Sequence, residues 1–363
     1  MRTTQPSVTV TRTDAGRLRD GSPIDRYEIR GERLTAAVLT YGGILQELWV
    51  PGPDGTPADV VLGLPRAPSY EDPHPFLGAL IGRFGNRIAG STFELNGRTV
   101  RLTPNEGTTC LHGGPRGYHA RTWTAEPLPG GVRLTLDSPD GDEGFPASLR
   151  IAVDYVVEGD ELRIGYTATN TEPEGGDSTV VNLTHHAYFN LSGEGSGPVD
   201  DHVVQLFGDA YLPVDEDMIP TGERADVAGT PFDLREPRPF SDGWDSPHEQ
   251  VRRARGYDHT WVLQAGSEAD QESPVVLAAR VTDPAGGRVL EVLTDQPGVQ
   301  FYTGNNLDGG PVGKSGVPYT RRSGFCLETQ HFPDSPNRPS FPSTVLEAGR
   351  TLRSVTVLRF GTC

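Results

Sequence analysis

Apolar residues alternate with polar ones along much of this chain. In 149–157, Leu149, Ile151, Val153, Tyr155 and Val157 share one face. Gly159-Asp160 then offers a turn, and Leu162, Ile164, Tyr166 and Ala168 resume the alternation. A period of two with a turn between predicts a hairpin with one buried face. Further strands are expected at 36–50, 98–102, 132–136, 180–191, 260–263, 275–281, 289–293, 299–303, 325–331 and 352–360. No window sustains apolar residues at helical spacing over three turns, so no helix is expected. Hydrophilic stretches at 171–178, 193–201, 241–256 and 265–273 read as surface loops, with strands resuming on their far side. The expectation is an all-β chain, a large antiparallel sandwich forming one domain over 1–363.

Composition supports many turns. The chain has 363 residues, with 45 glycines and 32 prolines. That is roughly a fifth of the chain and lacks any collagen-like period. The net charge of −17 disfavours nucleic acid or an anionic membrane as partner. A neutral small molecule suits it better. Three scattered cysteines, Cys110, Cys326 and Cys363, form no CxxC pair and point to a reducing compartment. Residues 1–30 contain no apolar signal-peptide core, and no run approaches the ~20 apolar residues of a membrane span. A cytoplasmic location is expected, as monomer or homodimer.

Strand parity separates candidate chemistry from core. In 180–191, one face carries Val181, Leu183, His185, Ala187, Phe189 and Leu191. The other carries Asn182, Thr184, His186, Tyr188 and Asn190. Such a polar row meets either solvent or a polar ligand. His186 is therefore the histidine to place in a site, and His185 the one to place toward the core. In 325–331, Cys326, Glu328 and Gln330 share a face opposite Phe325 and Leu327. Glu328 is either an edge-strand carboxylate in water or a buried base whose pKa is raised. Glycines in 78–90 allow close backbone approach around Arg83 and Arg87. His112 sits in Leu-His-Gly-Gly, and Asp258 precedes a strand. The chain lacks GxGxxG, GxSxG and HExxH, and its acidic 137–144 lacks EF-hand spacing. No metal or organic cofactor is expected.

Together these segments resemble the aldose 1-epimerase (galactose mutarotase) family. The motifs run in order: YGG (41–43), GRFGNRIAG (82–90), LHGG (111–114), SPDGDEGFP (138–146), NLTHHAYFNL (182–191), DH (258–259), QPGVQFYTGN (296–305) and SGFCLETQ (323–330). The resemblance implies the family's large β-sandwich. It also implies interconversion of the α and β anomers of free hexoses such as glucose and galactose. It assigns the proton donor to His186 and the proton acceptor to Glu328. Sugar-binding positions match Asn86, Arg87, His112, Asp258 and Gln300, and Tyr188 follows on the face of His186. His185 stands where many relatives carry asparagine. A glycoside hydrolase would need two carboxylates flanking the bond, and would leave the histidine strand without a role. A non-catalytic sugar-binding module would not need an acid–base pair, and a sugar-phosphate epimerase would want a basic pocket.

Overall fold

The computed structural model describes residues 8–264 and 274–363. The expected loop at 265–273 lies outside them. The largest sheet has nine strands. Its order is Thr124–Leu128, Gly131–Ser138, Leu149–Glu158, Glu161–Asn170, Thr351–Thr362, Arg288–Thr294, Val276–Thr282, Val203–Leu206 and Arg238–Pro239. The expected hairpin is its centre, with Val153 opposite Tyr166 and Glu158 opposite Glu161. Ile151, Val153 and Tyr155 turn inward, while their neighbours Arg150 and Asp154 stay accessible.

A second layer covers that inner face. One five-stranded sheet runs Thr9–Arg17, Pro23–Arg30, Thr35–Leu39, Leu45–Pro51 and Pro57–Asp59. Another runs Ala225–Asp226, Ala210–Tyr211, Asp258–Val262, Gly298–Tyr302 and Cys326–Gln330. Single bridges from Val61 to Phe189, and from Phe189 to Phe325, join the two. Leu48, Val50, Val60, Phe189, Phe301 and Phe325 pack in the same core as Ile151, Ile164 and Tyr166. The Tyr155 hydroxyl donates to the Gly43 carbonyl at 2.6 Å and ties the layers polar-to-polar. This is the antiparallel β-sandwich expected, and every named ladder is antiparallel.

Three expectations change. The stretch 36–50 is two strands, Thr35–Leu39 and Leu45–Pro51, because Gly42 and Gly43 turn the chain at φ 66° and 57°. The stretch 180–191 is interrupted. Thr179–Val180 pairs with Val345–Leu346, Thr184–His186 pairs with Ala79–Ile81, and only bridges continue beyond. Finally, 241–256 contains a short α-helix, Glu249–Ala254, capped by the His248 side chain. Six residues are too few to display helical periodicity.

Candidate active site

Neighbouring strands of the second layer bring the chemistry together. Thr184–His186 lies beside Cys326–Gln330, so the polar faces of both predicted segments meet. His186 Nε2 lies 3.8 Å from Glu328 Oε1, and both side chains are almost wholly buried. Water therefore does not solvate either row, which removes the solvent-facing alternatives. His185 points the other way and packs edge-on against Tyr155 of the core. Parity thus separates the two histidines as expected.

Register places the remaining groups. Gln300 pairs directly with Glu328 on one side and with Thr260 on the other. Thr260 Oγ1 donates to Gln300 Oε1 at 2.5 Å, and Gln300 Nε2 donates to Asp258 Oδ1 at 2.6 Å. This chain fixes the amide and leaves Asp258 Oδ2 for another donor. Arg87 grips Glu106 with two nitrogens, at 2.6 and 2.9 Å. It also faces the charges of Asp258 and Glu328.

His112 is held by the backbone of Asn86. The Asn86 N–H donates to His112 Nδ1 at 3.1 Å, and the His112 N–H donates to the Asn86 carbonyl at 3.0 Å. Both residues have positive φ, 62° and 52°. The Asn86 side-chain oxygen accepts from the Arg87 N–H at 2.9 Å. Glycine makes the approach feasible: a Cβ on Gly113 would lie 2.0 Å from the Gly82 carbonyl oxygen. Because Nδ1 accepts, the neutral ring carries its proton on Nε2 and donates from there.

Burial dominates the electrostatics. It pushes His186 down to about 3, with His74 and His119 contributing in the same direction. Burial, then the neighbouring Asp258 charge, lifts Glu328 well above its ordinary value, against the pull of Arg87. Asp258 is itself raised by burial, opposed by Arg87 and Gln300. Both shifts favour a neutral carboxyl beside a neutral imidazole over an ion pair. That pair has the same total charge as a carboxylate beside an imidazolium, so moving the proton between them needs no exchange with solvent.

A ligand atom of His112, one of His186 and one of Glu328 all lie within 4.8 Å of one another. Two imidazoles and a carboxylate can also hold a divalent metal. Here one nitrogen of His112 already accepts from Asn86 and the other carries the proton. The set therefore suits proton transfer and hydrogen-bond donation better than ligation.

Three neighbours of His186 carry no role from the sequence, although one of them, Cys326, lies on the expected face. Cys326 Sγ lies 3.5 Å from His186 Nδ1. Tyr302 lies edge-on to His186 and Tyr188. Phe76 covers His186 from a distant loop. Parity flags Cys326, two residues from Glu328 on its face. Nothing local flags Phe76.

A sequence model of the family described as aldose 1-epimerase matches residues 25–359. The chain is 42% identical to galactose mutarotase of Sus scrofa over 350 residues, covering 96% of this chain and 98% of that one. It is 37% identical to aldose 1-epimerase of Escherichia coli over 346 residues, covering 94% and 96%. The crystal structure of the GalM/aldose epimerase homologue from C. elegans superposes with a TM-score of 0.81 at 26% identity, covering 98% of this chain and 99% of that one. The chain thus belongs to the aldose 1-epimerase family.

Proposed function

We propose that this chain interconverts the α and β anomers of free aldoses, glucose and galactose among them, with Glu328 as base and His186 as acid. The observation that carries this reading is the buried His186–Glu328 pair, 3.8 Å apart, with hydroxyl-binding groups arrayed around it. Glu328 removes the proton from the C1 hydroxyl. His186 delivers a proton to the ring oxygen as the C1–O5 bond breaks, leaving the open-chain aldehyde. The aldehyde turns about C1–C2 and presents its other face. Reclosure returns both protons, so the enzyme ends as it began. Positioned proton transfers of this kind contribute about 10²–10⁴-fold each. Nε2–H of His112 stabilises charge developing on oxygen. Arg87, Asn86, Asp258, Gln300 and Tyr188 hold the sugar so that C1 stays between base and acid.

Among the described residues no helix is long and apolar enough to cross a membrane. A cytoplasmic address fits the free cysteines, and a neutral sugar fits the acidic surface.

The direct test follows freshly dissolved α-D-glucose and α-D-galactose by polarimetry or NMR. Accelerated approach to anomeric equilibrium is expected. Incubation with an oligosaccharide should release no new reducing ends, and release would favour a hydrolase instead.

The reacting state needs one proton shared by the pair. It is lost in acid when both groups are protonated, and in alkali when neither is. With His186 depressed and Glu328 raised, kcat/KM should stay flat across neutral pH. The acid limb should fall below the ordinary histidine value of about 6.5. An acid limb at that ordinary value would contradict the assignment.

Asp258→Asn tests the third charge. Asp258 raises Glu328, so neutralising it lowers the Glu328 pKa and moves the alkaline limb of the pH–rate profile to lower pH. KM should rise by about tenfold through loss of a charged acceptor for a sugar hydroxyl. An unmoved alkaline limb would separate Asp258 from the base.

A further inference from the structure

Phe76 lies on the segment between the turn Ala67–Glu71 and the strand Ala79–Ile81, far in sequence from both His186 and Glu328. Its ring stacks on His186, with centroids 5.8 Å apart and planes 28° from parallel. Tyr188 stacks on His186 as well, at 5.0 Å and 26°. The imidazole therefore has two near-parallel aromatic neighbours. Phe76 also meets His112 edge-on at 4.7 Å and His119 at 4.8 Å. His112, His186 and Tyr188 are buried, whereas Phe76 is only partly so. His119, like Phe76, is only partly buried, so these two rings form the solvent side of the group.

The backbone holds Phe76 in an unusual place. Its φ of 56° lies in the left-handed region, where bulky side chains are rare and persist only when the surroundings impose them. The Leu77 N–H donates to His74 Nδ1 at 3.1 Å, and the Ala79 N–H donates to the Phe76 carbonyl at 3.0 Å. One residue further, the Gly78 N–H donates to the carbonyl of His186 itself at 3.0 Å. The turn that projects Phe76 is thus bonded to the residue its ring covers.

We propose that Phe76 is a positioning residue for the acid: it holds the His186 ring in plane for delivery to the sugar's ring oxygen and keeps bulk water from its open side. This rests on the role given to His186 above. An off-plane imidazole loses alignment with the ring oxygen, and misplacement by about 1 Å can cost 10²-fold in rate. Water at the ring would also lower the cost of charging it.

The test compares Phe76→Ala and Phe76→Tyr with the parent by anomer-conversion kinetics and by NMR titration of the His186 ring. In Phe76→Ala, kcat should fall about 10- to 100-fold with a much smaller change in KM. The His186 titration should move upward toward the ordinary histidine range. Phe76→Tyr keeps the stacked ring and should restore both. Should Phe76→Ala fail to fold, Phe76→Leu carries the same test, since it fills space without a flat face and should shift kcat and titration in the same directions. Parental kcat and an unmoved titration in the folded variant would overturn the proposal. His186→Asn separates the two levels. If it abolishes turnover while Phe76→Ala is parental, only the role of Phe76 fails. If it keeps turnover, the catalytic assignment fails as well.

Discussion

Glu328→Gln is expected to lower kcat by about 10²–10⁴-fold while leaving the fold intact. Glutamine preserves the shape of the side chain and its place opposite Gln300. It cannot accept the C1 proton. Stability should not suffer, because the substitution removes a carboxyl whose ionised form is disfavoured by burial and whose Oε2 has no protein partner. His186→Asn should cause a loss of similar size. Acid and base act in one concerted exchange, so the double variant should lose little more than either single one. The check is an α-anomer conversion assay on protein whose circular dichroism and melting temperature match the parent. Turnover within a few-fold of parent in either single variant would remove that residue from the chemistry.

Much of this site is legible from strand parity, because alternation is a local property. It distinguishes His186 from His185, and the structure turns one toward Glu328 and the other toward Tyr155. It likewise puts Cys326 on the face of Glu328. Parity cannot tell which polar faces meet, so it leaves open whether Glu328 is buried or exposed at an edge; the neighbouring strand Thr184–His186 buries it. Asn86 shows a different limit. Its carbonyl and N–H hold His112, which depends on positive φ at both residues rather than on side-chain type. Thr9–Arg17 leaves no strand signal in the sequence because most of its side chains are exposed and carry no apolar alternation. Phe76 depends on a loop folding back over a strand more than a hundred positions later, for which no short pattern exists.

Acidification should unfold this protein cooperatively well above pH 4. Eight of the nine histidines are depressed, each chiefly by burial. His74, His119, His202 and His331 fall to about 4, and His185, His186 and His259 to about 3. Hydrogen bonding enforces neutrality in several. The backbone N–H of Leu77 donates to His74 Nδ1, that of Asn86 to His112 Nδ1, that of Leu191 to His202 Nε2 and that of Asp258 to His259 Nδ1. An accepting nitrogen cannot also carry a proton. The unfolded chain protonates these rings near 6.5, so it binds more protons than the fold below that value. Their stabilisation is complete above about pH 6.5 and is lost as pH falls toward the folded values, by about 2 kcal/mol for each such ring at pH 5. A few of them together rival the whole stability of a typical domain, about 5–15 kcal/mol. Glu328, Asp258, Asp59 and Asp295, raised by burial, act in the opposite direction but are fewer. The net charge of −17 supplies a rival expectation, since acid would relieve that repulsion and stabilise the fold. Tryptophan fluorescence and circular dichroism from pH 8 to 4 at constant ionic strength decide between them. Loss of structure with a midpoint between about 4.5 and 6 supports control by the buried histidines. A melting temperature that holds or rises down to pH 4 would assign control to the surface charge instead.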